Sequence, residues 1–401
     1  MVCTLLLLKS KINHRVKQLL IFIKTNKLMK VLIINTWIAF GGGEQVCLET
    51  ANFLQKKNNK VSIACCYVDQ NYLSKKSIHI NFITPLSWIE KLCKKNKIFL
   101  ALLGFPALFV LVMKNAINFD LINSHNFPGF WVGAVSSILY KKKLVWHFNE
   151  PQPIPKFLNF VDKIFIKKVS SITVLDIKNK LRVKKMFGKD AILIRPGVDF
   201  KFWSSKVQSD EVLQKYELKD KIFILSVGKI HPQKNQIILV DVLNILKEKI
   251  PGLILVLTGL RIHKEDVEER AKKLGVEKRV VFTGIISSED LKSLYKNCLA
   301  VCFPALDQTW GLTPFEALCQ KTVSIASSQA GVLEVIGPEK IGLIADPDAE
   351  HFAEKILYLY NNKKNVSKMS EKGYNFVNNN MSWDKFGEKM LEIFMEAVTY
   401  N

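Results

Sequence analysis

The sequence has no CxxC pair and no zinc-ligand spacing among its eight cysteines (Cys3, Cys47, Cys65, Cys66, Cys93, Cys298, Cys302 and Cys319), which excludes a zinc module or a dithiol redox motif. They lie mostly within apolar runs and read as reduced, small core residues of a cytosolic protein. Acidic residues are scarce, 36 against 58 lysines and arginines, so the formal net charge is +22. Nucleic acid, an anionic membrane surface and an anionic small substrate all fit such a surplus, as does a plainly lysine-rich surface. Zinc-finger, helix-turn-helix and RNA-binding signatures are absent, and basic residues come in short runs such as Lys141-Lys142-Lys143, so no nucleic-acid partner is expected. A bilayer-spanning run is also missing. The most apolar stretch, 98–113, has 16 residues broken by Gly104 and Pro106, short of the ~20 a span needs. It is expected as a buried or half-buried helix, with an interfacial hairpin as the alternative because basic residues flank it. Residues 1–28 carry Lys9, Lys11, Arg15, Lys17, Lys24 and Lys27, no acid, and not the layout of a secretory signal. A basic membrane-touching helix and an upstream start codon before Met29 both fit. The expected location is cytoplasmic, with peripheral attachment to the inner face of the membrane as its variant.

What is present is apolar and alternating. With 48% hydrophobic and 23% charged residues the chain is not largely disordered, and 401 residues favour two domains. From Met29, strand-like runs at 30–35, 60–66, 120–125, 143–149, 171–175 and 191–199 alternate with helical segments. Continuous apolar strands separated by helices predict a parallel sheet covered on both faces. The alternation restarts at 221–229 and continues through strands at 253–259, 280–284, 300–306, 323–327 and 342–347. The polar stretch 202–217 reads as the linker. The expected fold is α/β, with two Rossmann-like domains, 29–204 and 205–380, whose parallel sheets face a central cleft. A C-terminal helix, 381–401, amphipathic through Trp383, Phe386, Met390, Leu391 and Phe394, is expected to pack back toward the first domain.

Three motifs fall at predicted carboxyl ends of strands, where ligands bind in such sheets. In QTWGLTPFEAL (308–318), a glycine before a helix start aims backbone N–H groups outward, and Glu316 lies one turn in, able to accept from sugar or ribose hydroxyls. A capped helix with a solvated glutamate is the plain alternative. In VGKIHPQKN (227–235), Lys229 and Lys234 flank a tight turn and can neutralise a diphosphate without a metal; two surface lysines are the alternative. In FGGGEQ (40–45), glycines allow close approach to phosphate or sugar, although the pattern is not GxGxxG. His125 ends the strand DLINSH, and His147 is similarly placed. The one DxD, Asp346-Pro347-Asp348, precedes a helix and is read as a cap rather than a metal site.

Taken in order, the glycine loop, strand-end histidine, GVD strand, GK…K turn, FTG strand and WGLTPFEA helix resemble the family 4 retaining glycosyltransferases of GT-B fold, from about residue 29 to 395. NEPQP (149–153) and RPGVD (195–199) further resemble members that transfer mannose or related hexoses. The resemblance implies that Gly42 and Gly43 contact donor phosphates or the acceptor edge, and that His125 approaches the donor sugar. It makes Lys229 and Lys234 the diphosphate clamp, the first being more often arginine in the family. Glu316 matches the second glutamate of Glu-x7-Glu and implies ribose binding, with Gly311, Leu312 and Thr313 beside it; Gln308 replaces the first glutamate. Lys321 stands where glycine is usual, Val323 where proline is, and Ala330 replaces the first of a glycine pair ending at Gly331.

The implied activity is metal-independent, retaining transfer of a hexose from a nucleoside diphosphate sugar to a glycan or lipid-linked acceptor, in polysaccharide or glycoconjugate synthesis. The nucleotide sugar is substrate, and no cofactor is implied. A nucleotide-sugar epimerase of the same fold is one rival. A catalytically weakened protein that still binds nucleotide sugar is another, resting on Gln308, Lys321 and Val323. If the enzyme is active, Gln308→Glu is expected to raise turnover more than it changes donor affinity, because a carboxylate stabilises positive charge on the sugar ring and an amide does not.

Overall fold

The computed structural model describes residues 28–39, 41–74, 79–125, 127–149 and 159–399. The expectations placed on residues 1–27, and on the NEPQP motif from Glu150 onward, lie outside them. The chain forms two compact units: one holds the residues up to Val174, Arg182–Ile194 and the chain from Gly387; the other holds Leu175–Leu181 and Arg195–Phe386.

The first unit is built on seven parallel strands: β1 (Lys30–Ile34), β2 (Lys60–Ala64), β3 (Asn81–Ile83), β4 (Leu121–His125), β5 (Lys143–His147), β6 (Ser171–Val174) and β7 (Ile192–Leu193). Their order is β3-β2-β1-β4-β5-β6-β7. Val31, Leu32, Ile33 and Ile34 are all fully buried, so both faces of β1 are covered, as a run without polar alternation requires. The expected strand at 191–199 shrinks to Ile192–Leu193. Pro196 has no N–H to offer a ladder, and Gly197 lies so close to the backbone of Trp383 that a Cβ would stand 2.2 Å from its nitrogen. Val198 N–H donates instead to the Met381 carbonyl at 2.9 Å.

The apolar stretch is a half-buried helix as expected, but it runs on through Gly104 and Pro106 instead of breaking there. A π-helical turn (Leu100–Gly104), an α-helix (Phe105–Asn115) and a 3₁₀ turn (Ala116–Asn118) run on as one 19-residue segment, long and apolar enough to cross a membrane by length and composition. Pro106 falls just after the junction of the π turn and the α-helix, where the Phe105 N–H donates to the Leu100 carbonyl and the segment continues past the missing proline N–H. Gly104 is absorbed by the π turn, packed against the sulfurs of Cys93 and Cys66. Leu108, Val112 and Ala116 are fully buried, but Leu102, Phe109, Val110 and Ile117 are exposed, so only one edge of the segment joins the core.

The second unit carries six parallel strands: β8 (Phe223–Val227), β9 (Ile254–Thr258), β10 (Val280–Gly284), β11 (Ala300–Phe303), β12 (Ser324–Ser327) and β13 (Leu343–Ala345), in the order β10-β9-β8-β11-β12-β13. Residues 202–217 are no free linker. They contribute to the helices Phe200–Trp203 and Asp210–Lys215, and Trp203, Leu213 and Leu218 are buried within this unit. In the last helix, Trp383–Thr399, the residues Phe386, Met390, Ile393 and Phe394 are buried, and Gly387 lies flat on the Phe53 ring of the first unit's own core. The seven described cysteines are buried and free, with burial pushing up their thiol pKa values.

In both sheets the strand order reverses beside the first strand, between β1 and β4 and between β8 and β11. These are the points where loops diverge and leave room for a ligand at the carboxyl ends.

Candidate functional site

At the second unit's reversal point, β8 is followed by Gly228 and β9 by Gly259, both at positive φ (136° and 134°). A Cβ on Gly259 would stand 2.3 Å from the Gly228 carbonyl oxygen, so the two strand ends meet backbone to backbone, which glycine alone permits. The turn that follows is knotted by its own side chains. Gln236 Nε2 donates to the Lys229 carbonyl at 3.1 Å, and His231 Nδ1 accepts from the Gln233 N–H at 3.2 Å. Asn235, left-handed at φ 54°, donates from Nδ2 to the Pro347 carbonyl. Leu306 N–H donates to the Gln233 carbonyl at 2.8 Å, joining this turn to the loop after β11. Lys229 is left exposed and Lys234 half-buried.

The loop after β11 supplies the surroundings of Lys234. Its ammonium donates to Gln308 Oε1 at 2.5 Å and lies 5.4 Å from the centre of the Phe303 ring. Gln308 Nε2 donates to the Trp310 carbonyl at 2.7 Å, so both ends of the amide are used. Gly311 presses on the other atoms of Phe303, where a Cβ would come within 2.4 Å of Cζ. Lys234 and Gly311 thus both lie against one aromatic ring, and Gln308 is bonded to the lysine. Leu312 and Thr313 follow, half-buried, at the start of the helix Thr313–Cys319. Glu316, also half-buried, accepts from the Tyr295 hydroxyl at 3.0 Å. Burial, then the Glu316 charge, hold Tyr295 protonated far above its ordinary range, so it stays the donor.

The departures noted in the sequence have local reasons. Lys321 adopts φ 58° after the helix, the left-handed position that favours glycine, and its ammonium pairs with Glu371 at 2.5 Å. Gly331 keeps the glycine of its pair because a Cβ there would collide with the Thr309 carbonyl oxygen, whereas Ala330 simply fills a buried space. Asp348 caps the helix Ala349–Asn361 by accepting from the His351 N–H at 2.9 Å, as the capping reading holds. Among the described residues, no group of three histidine, cysteine or acidic side chains is arranged to hold a metal ion.

The first unit's reversal point presents the helix Gly42–Lys56, with Gly42 exposed and Gly43 next to the Asn149 amide (3.6 Å from a Gly43 Cβ). Behind them His125 is fully buried, not surface-lying as a group approaching a sugar would be in this conformation. Parallel register sets His125 beside His147, and the two rings lie 4.9 Å apart. Asn123 Nδ2 donates to the Val145 carbonyl, so its Oδ1 faces His125 and accepts from Nε2 at 2.9 Å. The His125 lone pair is therefore on Nδ1. His147 bonds through Nδ1 to Thr173 Oγ1 at 2.8 Å and is also bonded by Asn149. Burial, reinforced by the neighbouring imidazole, holds His125 well below its ordinary pKa, and burial pushes His147 down to about 4. Both rings are neutral at pH 7. The sequence reading named both histidines but not Asn123; only the β4–β5 register relates these three.

The glycosyl transferases group 1 model matches residues 208–376, and the glycosyltransferase family 4 model matches residues 40–202. Mannosylfructose-phosphate synthase of Agrobacterium fabrum is 22% identical over 317 residues, covering 70% of each chain. Alpha-1,3/1,6-mannosyltransferase ALG2 of Dictyostelium discoideum is 24% identical over 205 residues, 47% of this chain and about half (49%) of the relative's length. Among solved structures, Anabaena HepE in complex with UDP and glucose superimposes with a TM-score of 0.77 at 17% identity, over 91% of this chain and 98% of that one. Sucrose-phosphate synthase from Thermosynechococcus elongatus gives 0.73 at 18% identity, over 93% and 100%. The structural likeness speaks for the fold, and the two family models, one on each half, speak for the class. The chain belongs to the family 4, group 1 glycosyltransferases, with the GT-B fold.

Proposed function

We propose that the protein transfers a hexose, mannose foremost, from a nucleoside diphosphate sugar to a glycan or lipid-linked acceptor, with retention of anomeric configuration and without a metal ion. The observation that carries this reading is the half-buried ammonium of Lys234 at the reversal point, fixed by Gln308 over Phe303. As the glycosidic bond to the diphosphate breaks, negative charge grows on the leaving phosphates. Lys234 and Lys229 would meet that charge with cations positioned beforehand, the main electrostatic contribution to the rate. Glu316 would accept from ribose hydroxyls, and Gly311, Leu312 and Thr313 would line the nucleotide. Gly42 and Gly43 would serve the sugar and acceptor side, with the His125–His147 pair buried beneath the strand ends rather than touching the sugar. Attack on the same face as the departing phosphate, with a phosphate oxygen taking the acceptor proton, needs no protein base. The mannosyltransferase named among the relatives favours mannose, and the UDP held by HepE favours a nucleotide-linked donor. A lipid-linked acceptor would place the enzyme at an anionic membrane surface.

A screen of UDP-, GDP- and ADP-sugars by mass spectrometry, with and without acceptor, tests transfer directly. Binding without turnover by any donor would favour the non-catalytic reading instead. Lys234→Ala should weaken nucleoside diphosphate binding by about 1.5–3 kcal/mol in calorimetry, the worth of a hydrogen bond to a charged group. An unchanged affinity would remove the lysine from the diphosphate site.

A further inference from the structure

Exposed large apolar side chains are concentrated in one region of the first unit. Leu86 and Trp88 stand out at the helix Ser87–Lys95, and Ile98, Phe99, Leu102, Phe109 and Val110 on the segment that follows. The order within that segment is regular. Ile98, Leu102, Pro106 and Val110 recur every fourth residue and are all exposed, whereas Gly104, Leu108, Val112 and Ala116 recur likewise and are all buried. The two helices are held together where Gly104 packs on Cys93. One face is therefore core, and the opposite face is an apolar stripe in water.

The charge around the stripe has one sign. Lys91, Lys94, Lys95 and Lys114 are exposed beside it, with Lys94 leaning over the Tyr67 ring at 5.4 Å. From residue 86 to 118 the sole acidic residue is Glu90, and its carboxylate already accepts from the Val68 N–H at 2.9 Å. A second copy of the chain meeting this face about a twofold axis would bring those lysines against their own images, which repels. A bilayer with anionic headgroups satisfies both features at once, taking the stripe into its acyl boundary and the lysines at its headgroups. Spanning is ruled out by packing, since Leu108, Val112 and Ala116 sit in the same core as Leu32, Ile34, Ala64 and Ile122. The segment cannot cross a bilayer without leaving that core.

We propose that residues 86–114 form an interfacial docking surface for anionic lipid bilayers, lying in the membrane plane with Trp88, Ile98, Leu102 and Val110 inserted and the lysines on the headgroups. For its role, delivery of the enzyme to a lipid-linked acceptor, this rests on the reading given above.

The test is co-sedimentation of the full chain with phosphatidylcholine vesicles and with vesicles containing one third phosphatidylglycerol. Binding should appear with the anionic vesicles and fall with added salt. Ile98→Ser/Leu102→Ser/Val110→Ser should lower the vesicle partition at least about tenfold, since three exposed apolar side chains are removed. Lys91→Glu/Lys95→Glu should abolish the preference for the anionic vesicles. Ile262→Ser/Ile285→Ser, exposed on the second unit, should bind as the wild type does. Unchanged melting temperature and retained UDP binding would show that each variant folds. Wild type that ignores vesicles, or a triple variant that binds like wild type, overturns the proposal. So does a wild-type dimer that the triple variant converts to monomer. Vesicle binding without any sugar transfer would leave the docking surface standing and fail the catalytic reading; transfer without vesicle binding would do the reverse.

Discussion

Gln308 is used at both ends: Oε1 accepts from Lys234 and Nε2 donates to the Trp310 carbonyl. The sequence alone suggested that glutamate here would speed the reaction. The geometry argues otherwise, because a carboxylate would set a second oxygen 2.7 Å from a carbonyl that had been receiving a hydrogen bond. It would also pair with the Lys234 ammonium and compete with a diphosphate for it. Gln308→Glu should therefore weaken nucleoside diphosphate binding and destabilise the fold by about 1–3 kcal/mol for the lost bond, seen as a lower melting temperature. Higher turnover at unchanged diphosphate affinity would restore the charge argument. The buried histidines make a second prediction at this scale. Their folded pKa values lie below the unfolded value, to about 4 for His147, so the unfolded chain binds more protons from about pH 6.5 down to pH 4. Stability from this pair is full above the unfolded pKa and is lost as pH falls through that window. For His147 the loss is at most about 3 kcal/mol. Urea unfolding of wild type and His147→Gln at pH 7.5 and 5 should show a smaller pH dependence in the variant; equal slopes would mean that the ring is not buried neutral.

At the scale of elements, the site depends on two strand ends that touch. Gly259 at φ 134° lies against the Gly228 carbonyl, and the next residue in the chain after Gly228 is Lys229. Gly259→Ala must both strain its own backbone and push the carbonyl from which the lysine turn departs. It should destabilise the protein by about 1–3 kcal/mol and weaken nucleoside diphosphate binding beyond what unfolding explains. A variant as stable and as tight-binding as wild type would show that the close approach is not needed. The long strands were readable because a strand covered on both faces is a continuous β-branched run, as in KVLII and ILVLT. The helix Lys363–Asn380 was not, since it buries only Ser370, Gly373 and Val377 and looks polar all round. In the site, Lys234 and Gln308 could be named from motifs, but not their bond, which joins loops 74 residues apart. The His125–His147 contact was hidden for the same reason, being a product of strand register.

On the scale of the whole molecule, the two units share the order of their first six strands but differ in chemistry at the reversal point: buried neutral imidazoles in the first, lysines in the second. A nucleoside diphosphate is an anion of high charge, and neutral, buried rings have little to offer it. The lysine turn does. Hydrogen exchange in the presence of saturating UDP or GDP should therefore slow amides in Gly228–Gln236, in the loop 304–312 and in the first turn of the helix Thr313–Cys319. The strands β1, β4 and β5 of the first unit should exchange as before. Bound ligand at a hundred times its Kd can add no more than about 2.7 kcal/mol of protection, so the effect should be largest where opening is local and ligand contact is direct. Lys234→Ala should lower the protection at equal nucleotide concentration, while His147→Gln should leave it in place. Protection centred on the glycine loop at Gly42 and Gly43 instead would move the nucleotide to the first unit and reverse the division of labour proposed for the two sheets.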